Sequence, residues 1–204
     1  MPILTADQLN NIGYSIFTAM GVSAEEAKIV SEYLVNANLA GHDSHGVIRV
    51  PQYVNLIKGG SIVPGAKMEI VREMPSGAVL NGNWGFGQVL GKKAMEIAID
   101  KAKNKSVATV TMSQSNHIAR LGEYAIMAVE NNMIGMIMVN SHGGAQYMPP
   151  WGGITRRLST NPLAVGVPTE RYDPVVLDIT TTVVAEGKVR VKLNRGEKLP
   201  EGWI

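Results

Sequence analysis

Apolar residues recur at helical spacing through the first third of the chain and give way to short β-like runs after it. Leu9, Ile12, Ile16 and Met20 form one such stripe, and Ala27, Val30, Leu34 and Val35 form a second, which predicts two amphipathic helices with those residues facing a core. Each helix begins on a Ser/Thr-x-x-Glu/Gln signature, Thr5 with Gln8 and Ser23 with Glu26, in which each side chain satisfies the other residue's backbone N–H. Gly41 ends the second helix and releases a polar segment that runs to Gly59-Gly60 and Pro64.

From about residue 67 the texture changes. Residues 68–72, 77–80, 107–112, 133–139 and 175–179 read as strands, and 88–103 and 118–131 as helices. The expected class is therefore α/β, with a helical segment over 1–66 and an α/β domain over 67–204. Long loops at 140–162 and 22 glycines suggest backbone that must approach a ligand closely. Gly85-Phe-Gly-Gln-Val-Leu-Gly91 imitates a dinucleotide-binding fingerprint, but its third glycine comes one residue late. The following strand ends in Thr111-Met112-Ser113, without the acidic residue that would hold ribose hydroxyls. A glycine-rich turn packing a helix on a sheet is expected there instead.

Composition removes several function classes. Zero cysteines exclude disulfides, thiolate nucleophiles and cysteine-ligated metals. Nineteen basic and 17 acidic residues leave a net charge of +2, too small a surplus to argue for nucleic acid. The densest basic run, Lys188-Val-Arg-Val-Lys192, lacks interleaved aromatics and is bounded by Glu186 and Glu197, so it reads as a solvated face. The N-terminus has neither the basic nor the apolar region of a signal peptide, and no apolar run approaches bilayer-spanning length. No membrane association and a cytoplasmic location are the default expectations.

The chemistry concentrates in Ser44-His-Gly-Val-Ile-Arg49. An imidazole exchanges protons near neutral pH, and the guanidinium fork of Arg49 matches a carboxylate bidentately, a pairing suited to small 2-oxo or 2-hydroxy acids. On a helix His45 and Arg49 would share a face that Tyr53 extends, although Pro51 forces a kink or restart. A structural turn, or a metal site using His42 and His45 in a hydrolase, remain alternative readings of the same residues. Ser113-Gln-Ser-Asn-His117 leads from a strand towards a helix, where hydroxyl, amide and imidazole can receive a polar group or simply cap the helix. Ser159-Thr-Asn-Pro162 read alone is a turn.

Taken together, the segments 41–53, 115–124, Thr160-Asn-Pro-Leu-Ala-Val-Gly-Val-Pro168, Leu177-Asp-Ile-Thr-Thr181 and Ala185-Glu-Gly-Lys188 closely resemble the malate/L-lactate dehydrogenase family. Its members include ureidoglycolate dehydrogenase, 2,3-diketogulonate reductase and a cyclic imino acid reductase. The resemblance implies a helical N-terminal layer plus a mixed-sheet, non-Rossmann NAD(P)-binding domain. It implies an oxidoreductase that interconverts 2-hydroxy and 2-oxo acids, using NAD or NADP, as a homodimer. It also implies that His45 is the general acid, with Ser44 and Asp178 in a relay that orients it, and that Arg49, with Tyr53, binds the substrate carboxylate. His117, Thr160 and Asn161 would line the nicotinamide end of the cofactor, with Ser115, Asn116 and glycines 143–144 nearby; no metal is implied.

The chain departs from the family pattern at Thr182 and Ser159, both small-residue exchanges in loops expected to face cofactor. It also stops at Leu199-Pro-Glu-Gly-Trp-Ile204, where relatives continue, so the NAD(P)-binding domain is expected to be incomplete. By itself it is expected to be weakly active or inactive, the alternative being a catalytically silent binding or assembly module.

Overall fold

A computed structural model describes residues 3–140 and 146–203. The chain divides into two compact units, Met1–Arg120 and Leu121–Ile204. The change from helices to strands near residue 67 falls inside the first unit, which takes in three strands as well as the N-terminal helices. No described helix is long and apolar enough to cross a membrane.

The first unit contains α1 (Ala6–Ala19), α2 (Ala24–Leu39), α3 (Val50–Lys58), β1 (Glu69–Met74), β2 (Gly77–Asn81), α4 (Gly87–Lys105) and β3 (Thr109–Ser113). The first helix start is a reciprocal cap: Gln8 N–H donates to Thr5 Oγ1 at 3.2 Å and Thr5 N–H to Gln8 Oε1 at 2.9 Å. At the second, Glu26 N–H donates to Ser23 Oγ, but the Glu26 carboxylate takes the N–H of Gly65 at 2.9 Å instead of completing the box. That bond ties the helix start to the loop before β1.

The predicted stripe on α2 is buried, while on α1 the buried positions are Gly13 and Phe17 and Ile12 is 47% exposed. The helix turns its largest apolar side chain inwards, and Ile16 and Met20 pack at the flank. Phe17, Tyr53 and Phe86 form the centre, with ring centroids 6.0–6.4 Å apart, surrounded by Val30, Leu34, Ile62 and Val89. In the sheet, β2 pairs antiparallel with β1 and parallel with β3, the crossover being α4.

The second unit contains α5 (Gly122–Val129), β4 (Gly135–Met138), β5 (Leu163–Val167), β6 (Val175–Ile179) and α6 (Glu186–Asn194). The helix predicted from residue 118 starts at Gly122, because Ala119 holds a left-handed φ of 58° that an α-helix cannot include. The three strands form an antiparallel meander with Met136, Val165 and Leu177 in register. One face lies under α5: a Cβ on Gly135 would come within 2.7 Å of the Ala125 carbonyl oxygen and the Ala128 methyl. The other face consists of Met136, Met138, Leu163, Val165, Val167, Val175, Leu177 and Ile179. The run 188–192, read as a solvated stretch, lies in α6, where Val189 is buried; its alternation of valine with lysine and arginine masks the helical period.

Candidate active site

The segment Ser44–Arg49 is not one helix. Two single 3₁₀ turns, Asp43–His45 and Val47–Arg49, flank Gly46, whose backbone is extended. The α-helix α3 begins at Val50 with Pro51 in its first turn, where a missing N–H leaves no helical bond unmade. The restart that Pro51 implied is therefore present, and His45 and Arg49 do not share a continuous helix face. They are linked instead through Ser44: its Oγ lies 3.0 Å from His45 Nδ1, and its carbonyl accepts from Arg49 Nε at 2.7 Å. Arg49 Nη1 donates to Gln52 Oε1 at 2.8 Å, which sets the plane of the guanidinium. From the end of α2, Asn38 braces both turns, accepting from Val47 N–H at 2.8 Å and donating to Asp43 Oδ1 at 2.7 Å.

His117 joins this cluster from the loop after β3. Its ring stacks on that of His45, with centroids 5.4 Å apart and planes at 23°. Its Nδ1 lies 2.7 Å from the hydroxyl of Tyr53, which accepts a hydrogen bond from Gln88 Nε2, also at 2.7 Å. Tyr53 was expected to extend the carboxylate clamp, yet it is 1% exposed and its hydroxyl is engaged by Gln88 and His117. Burial raises the phenol pKa far above its usual value of 10.0, with smaller opposing effects from Gln88 and Arg49, so the hydroxyl keeps its proton. Burial also pushes the His117 imidazole well below its ordinary 6.5, and the positive charge of Arg49 and then of His45 pushes it the same way. The cluster thus places a neutral imidazole against a second imidazole beside a fixed cation.

Other residues expected at the site have structural partners. Asn116 Nδ2 lies within 2.7–3.2 Å of the carbonyl oxygens of Ser61, Trp84 and Gly85, and Ser115 Oγ donates to the Asn116 carbonyl at 3.2 Å. The start of α4 is pressed against this loop, since a Cβ on Gly87 would overlap the carbonyl oxygens of Asn116 and His117. The glycine-rich turn thus seats a helix against the 116–117 backbone. His42 and His45 rings are 6.3 Å apart, and among the described residues no group of three His, Asp or Glu side chains is placed to hold a metal.

The remaining candidates lie in the second unit. Asp178, on β6, accepts the N–H of Gly122 through Oδ2 at 2.7 Å and so holds the first turn of α5. Asn161 has a φ of 21°, and its carbonyl accepts from Thr181 Oγ1 at 3.1 Å; Thr160 precedes it, half-buried. Glycines 143–144 lie outside the described residues. Sequence reasoning missed Asn38, Gln52 and Gln88. For Gln88 a signal existed: an amide beside Val89 and Leu90 in the first turn of a helix that follows a glycine-rich turn.

The family model for malate/L-lactate dehydrogenase matches residues 4–204. A malate dehydrogenase of Pyrococcus abyssi is 44% identical over 197 residues, covering 97% of this chain and 53% of the relative. The solved malate dehydrogenase of Pyrococcus horikoshii superposes with a TM-score of 0.87 at 42% identity, covering 92% of this chain and 53% of the other. The sulfolactate dehydrogenase of Methanocaldococcus jannaschii gives 0.89 at 39% identity, covering 98% and 57%. This chain spans about half the length of the curated relatives it matches. On sequence and on fold, it belongs to the malate/L-lactate dehydrogenase family.

Proposed function

We propose that the protein interconverts small 2-hydroxy and 2-oxo acids with NAD or NADP, and that His45 is its proton carrier. The observation that carries this reading is the contact of Ser44 Oγ with His45 Nδ1 at 3.0 Å, in the same short segment that anchors Arg49. A hydroxyl on Nδ1 directs proton exchange with substrate to Nε2. In reduction, His45 gives that proton to the substrate carbonyl oxygen; in oxidation it takes the proton back. Arg49 receives the carboxylate and fixes which end of the acid meets His45. Asp178 belongs to the same reading as a member of the proton relay; within its own unit its Oδ2 holds the start of α5.

The residues fit a nicotinamide cofactor best at His117, a neutral imidazole stacked on the proton carrier. Asn116 fits less well, because its amide donor already faces three carbonyl oxygens. Ser115, Thr160 and Asn161 are the further candidates. When bound, NAD(P)H supplies the hydride that reduces the carbonyl carbon. A homodimer is part of the same reading.

The test is nicotinamide fluorescence of NADH and NADPH on titrating in the protein, with and without the unreactive 2-oxo acid mimic oxamate, followed by a reductase screen of 2-oxo acids. Saturable enhancement with one cofactor, altered by oxamate, and reduction of a 2-oxo acid are expected. Cofactor binding without any response to 2-oxo acids would favour a silent binding module.

A further inference from the structure

We propose that Gln88 is a positioning residue that decides, through the hydroxyl of Tyr53, which nitrogen of His117 carries the proton. The Tyr53 hydroxyl has one proton and faces the Gln88 amide at 2.7 Å, His117 Nδ1 at 2.7 Å and the His117 carbonyl oxygen at 3.5 Å. With Gln88 Nε2 donating to Oη, the hydroxyl proton goes to the near acceptor, Nδ1, and the neutral imidazole keeps its own proton on Nε2. Were the amide reversed, Tyr53 would donate to Gln88 and accept from Nδ1–H, leaving Nε2 as a bare lone pair. The orientation of one buried amide is therefore a choice between a donor and an acceptor at the outer nitrogen of His117.

Two features single Gln88 out for this task. It is fully buried, yet its Oε1 has no hydrogen-bond partner, a burden that an apolar side chain of the same size would not impose. And it follows Gly87, whose missing Cβ lets the first turn of α4 close on the Asn116 and His117 carbonyls and brings the amide to Tyr53. Both polar ends of the chain Gln88–Tyr53–His117 are set by backbone that cannot shift independently. That His117 then donates from Nε2 to an oxygen of bound ligand rests on the function proposed above; the tautomer itself does not.

The tautomer is read directly from ¹⁵N shifts of the His117 ring in histidine-labelled protein, at a pH where the ring is neutral. The parent is expected to show a pyrrole-type Nε2 and a pyridine-type Nδ1, and the reverse pattern would overturn the proposal. Gln88→Glu tests the relay from the other side. Its neutral acid can still donate to Tyr53, but once ionised it only accepts, so the pattern is expected to invert as the buried carboxyl loses its proton between about pH 6 and 9. A folded Gln88→Glu protein that keeps the parent pattern across that range would overturn it. Should Gln88→Glu fail to fold, the parent shifts alone decide. An inverted tautomer with unchanged oxamate and cofactor binding would leave the relay standing and remove His117 from the ligand contacts.

Discussion

The two units use their cores differently. In residues 3–120, aromatic rings from α1, α3 and the turn before α4 meet in one buried centre, and the polar site is built on its edge: Tyr53 contributes its ring to the core and its hydroxyl to His117. In residues 121–203, the β4–β5–β6 sheet is packed on one face by α5, while on the other Met138 is 70% and Leu177 44% exposed. Strands that are apolar at nearly every position, such as Val175-Val-Leu-Asp-Ile179, have the pattern of a sheet buried on both faces. Precision at a site comes from what is packed behind it. Ser44, Arg49 and His117 are held by neighbours that are themselves fixed, whereas the positions of Asp178 and Asn161 depend on a sheet that, among the described residues, is packed on its α5 side.

The contrast is sharpest in stability. Phe17→Ala removes a ring from the aromatic centre and is expected to destabilise by about 3–5 kcal/mol, against less than about 1 kcal/mol for Leu177→Ala on the open sheet face. Urea denaturation of both variants checks this, and similar losses would mean that the second sheet face is covered in solution. Gly135→Val is expected to fall between them, at about 1–3 kcal/mol, because the added side chain meets the α5 backbone rather than a movable group.

Arg49→Lys keeps the charge but loses the fork that Ser44 and Gln52 orient. About a tenfold or larger loss in kcat/KM for 2-oxo acids is expected, mostly in KM, with cofactor binding retained. Parent-like kinetics would place the carboxylate elsewhere.

The smallest effect is electrostatic. Because the folded state holds His117 below its ordinary pKa of 6.5, the unfolded chain takes up a proton there that the folded chain refuses. The stability linked to His117 is therefore full above pH 6.5 and is lost as pH falls below it. His117→Gln should flatten that slope in thermal melts recorded on the acid side, and an unchanged slope would show that the group is not held neutral by the fold.

What was legible in the chain was local. The Thr5–Gln8 cap, the buried stripe of α2 and the restart at Pro51 each follow from residues a few positions apart. What was not legible depends on partners far along the chain: Glu26 leaves its own cap for Gly65, Tyr53 turns to His117, and Gln88 reaches back to Tyr53. The spacing of His45 and Arg49 suggested a shared helix face, but the extended backbone at Gly46 joins them through Ser44 instead. The family resemblance groups Ser44, His45 and Arg49 through a contiguous motif, and in the structure Ser44 contacts the other two. It placed Asn116 with the cofactor, whereas the donor side of Asn116 faces the carbonyls of three loop residues.

The central claim is that His45 carries the proton. Its most direct test is the pH dependence of 2-oxo acid reduction by the parent and by His45→Gln. Turnover by the parent is expected to fall with rising pH as the proton donor is lost, and His45→Gln to be slower by about 100-fold or more with that dependence gone. A His45→Gln protein that reduces 2-oxo acids at the parent's rate, with the same pH profile, would contradict the account.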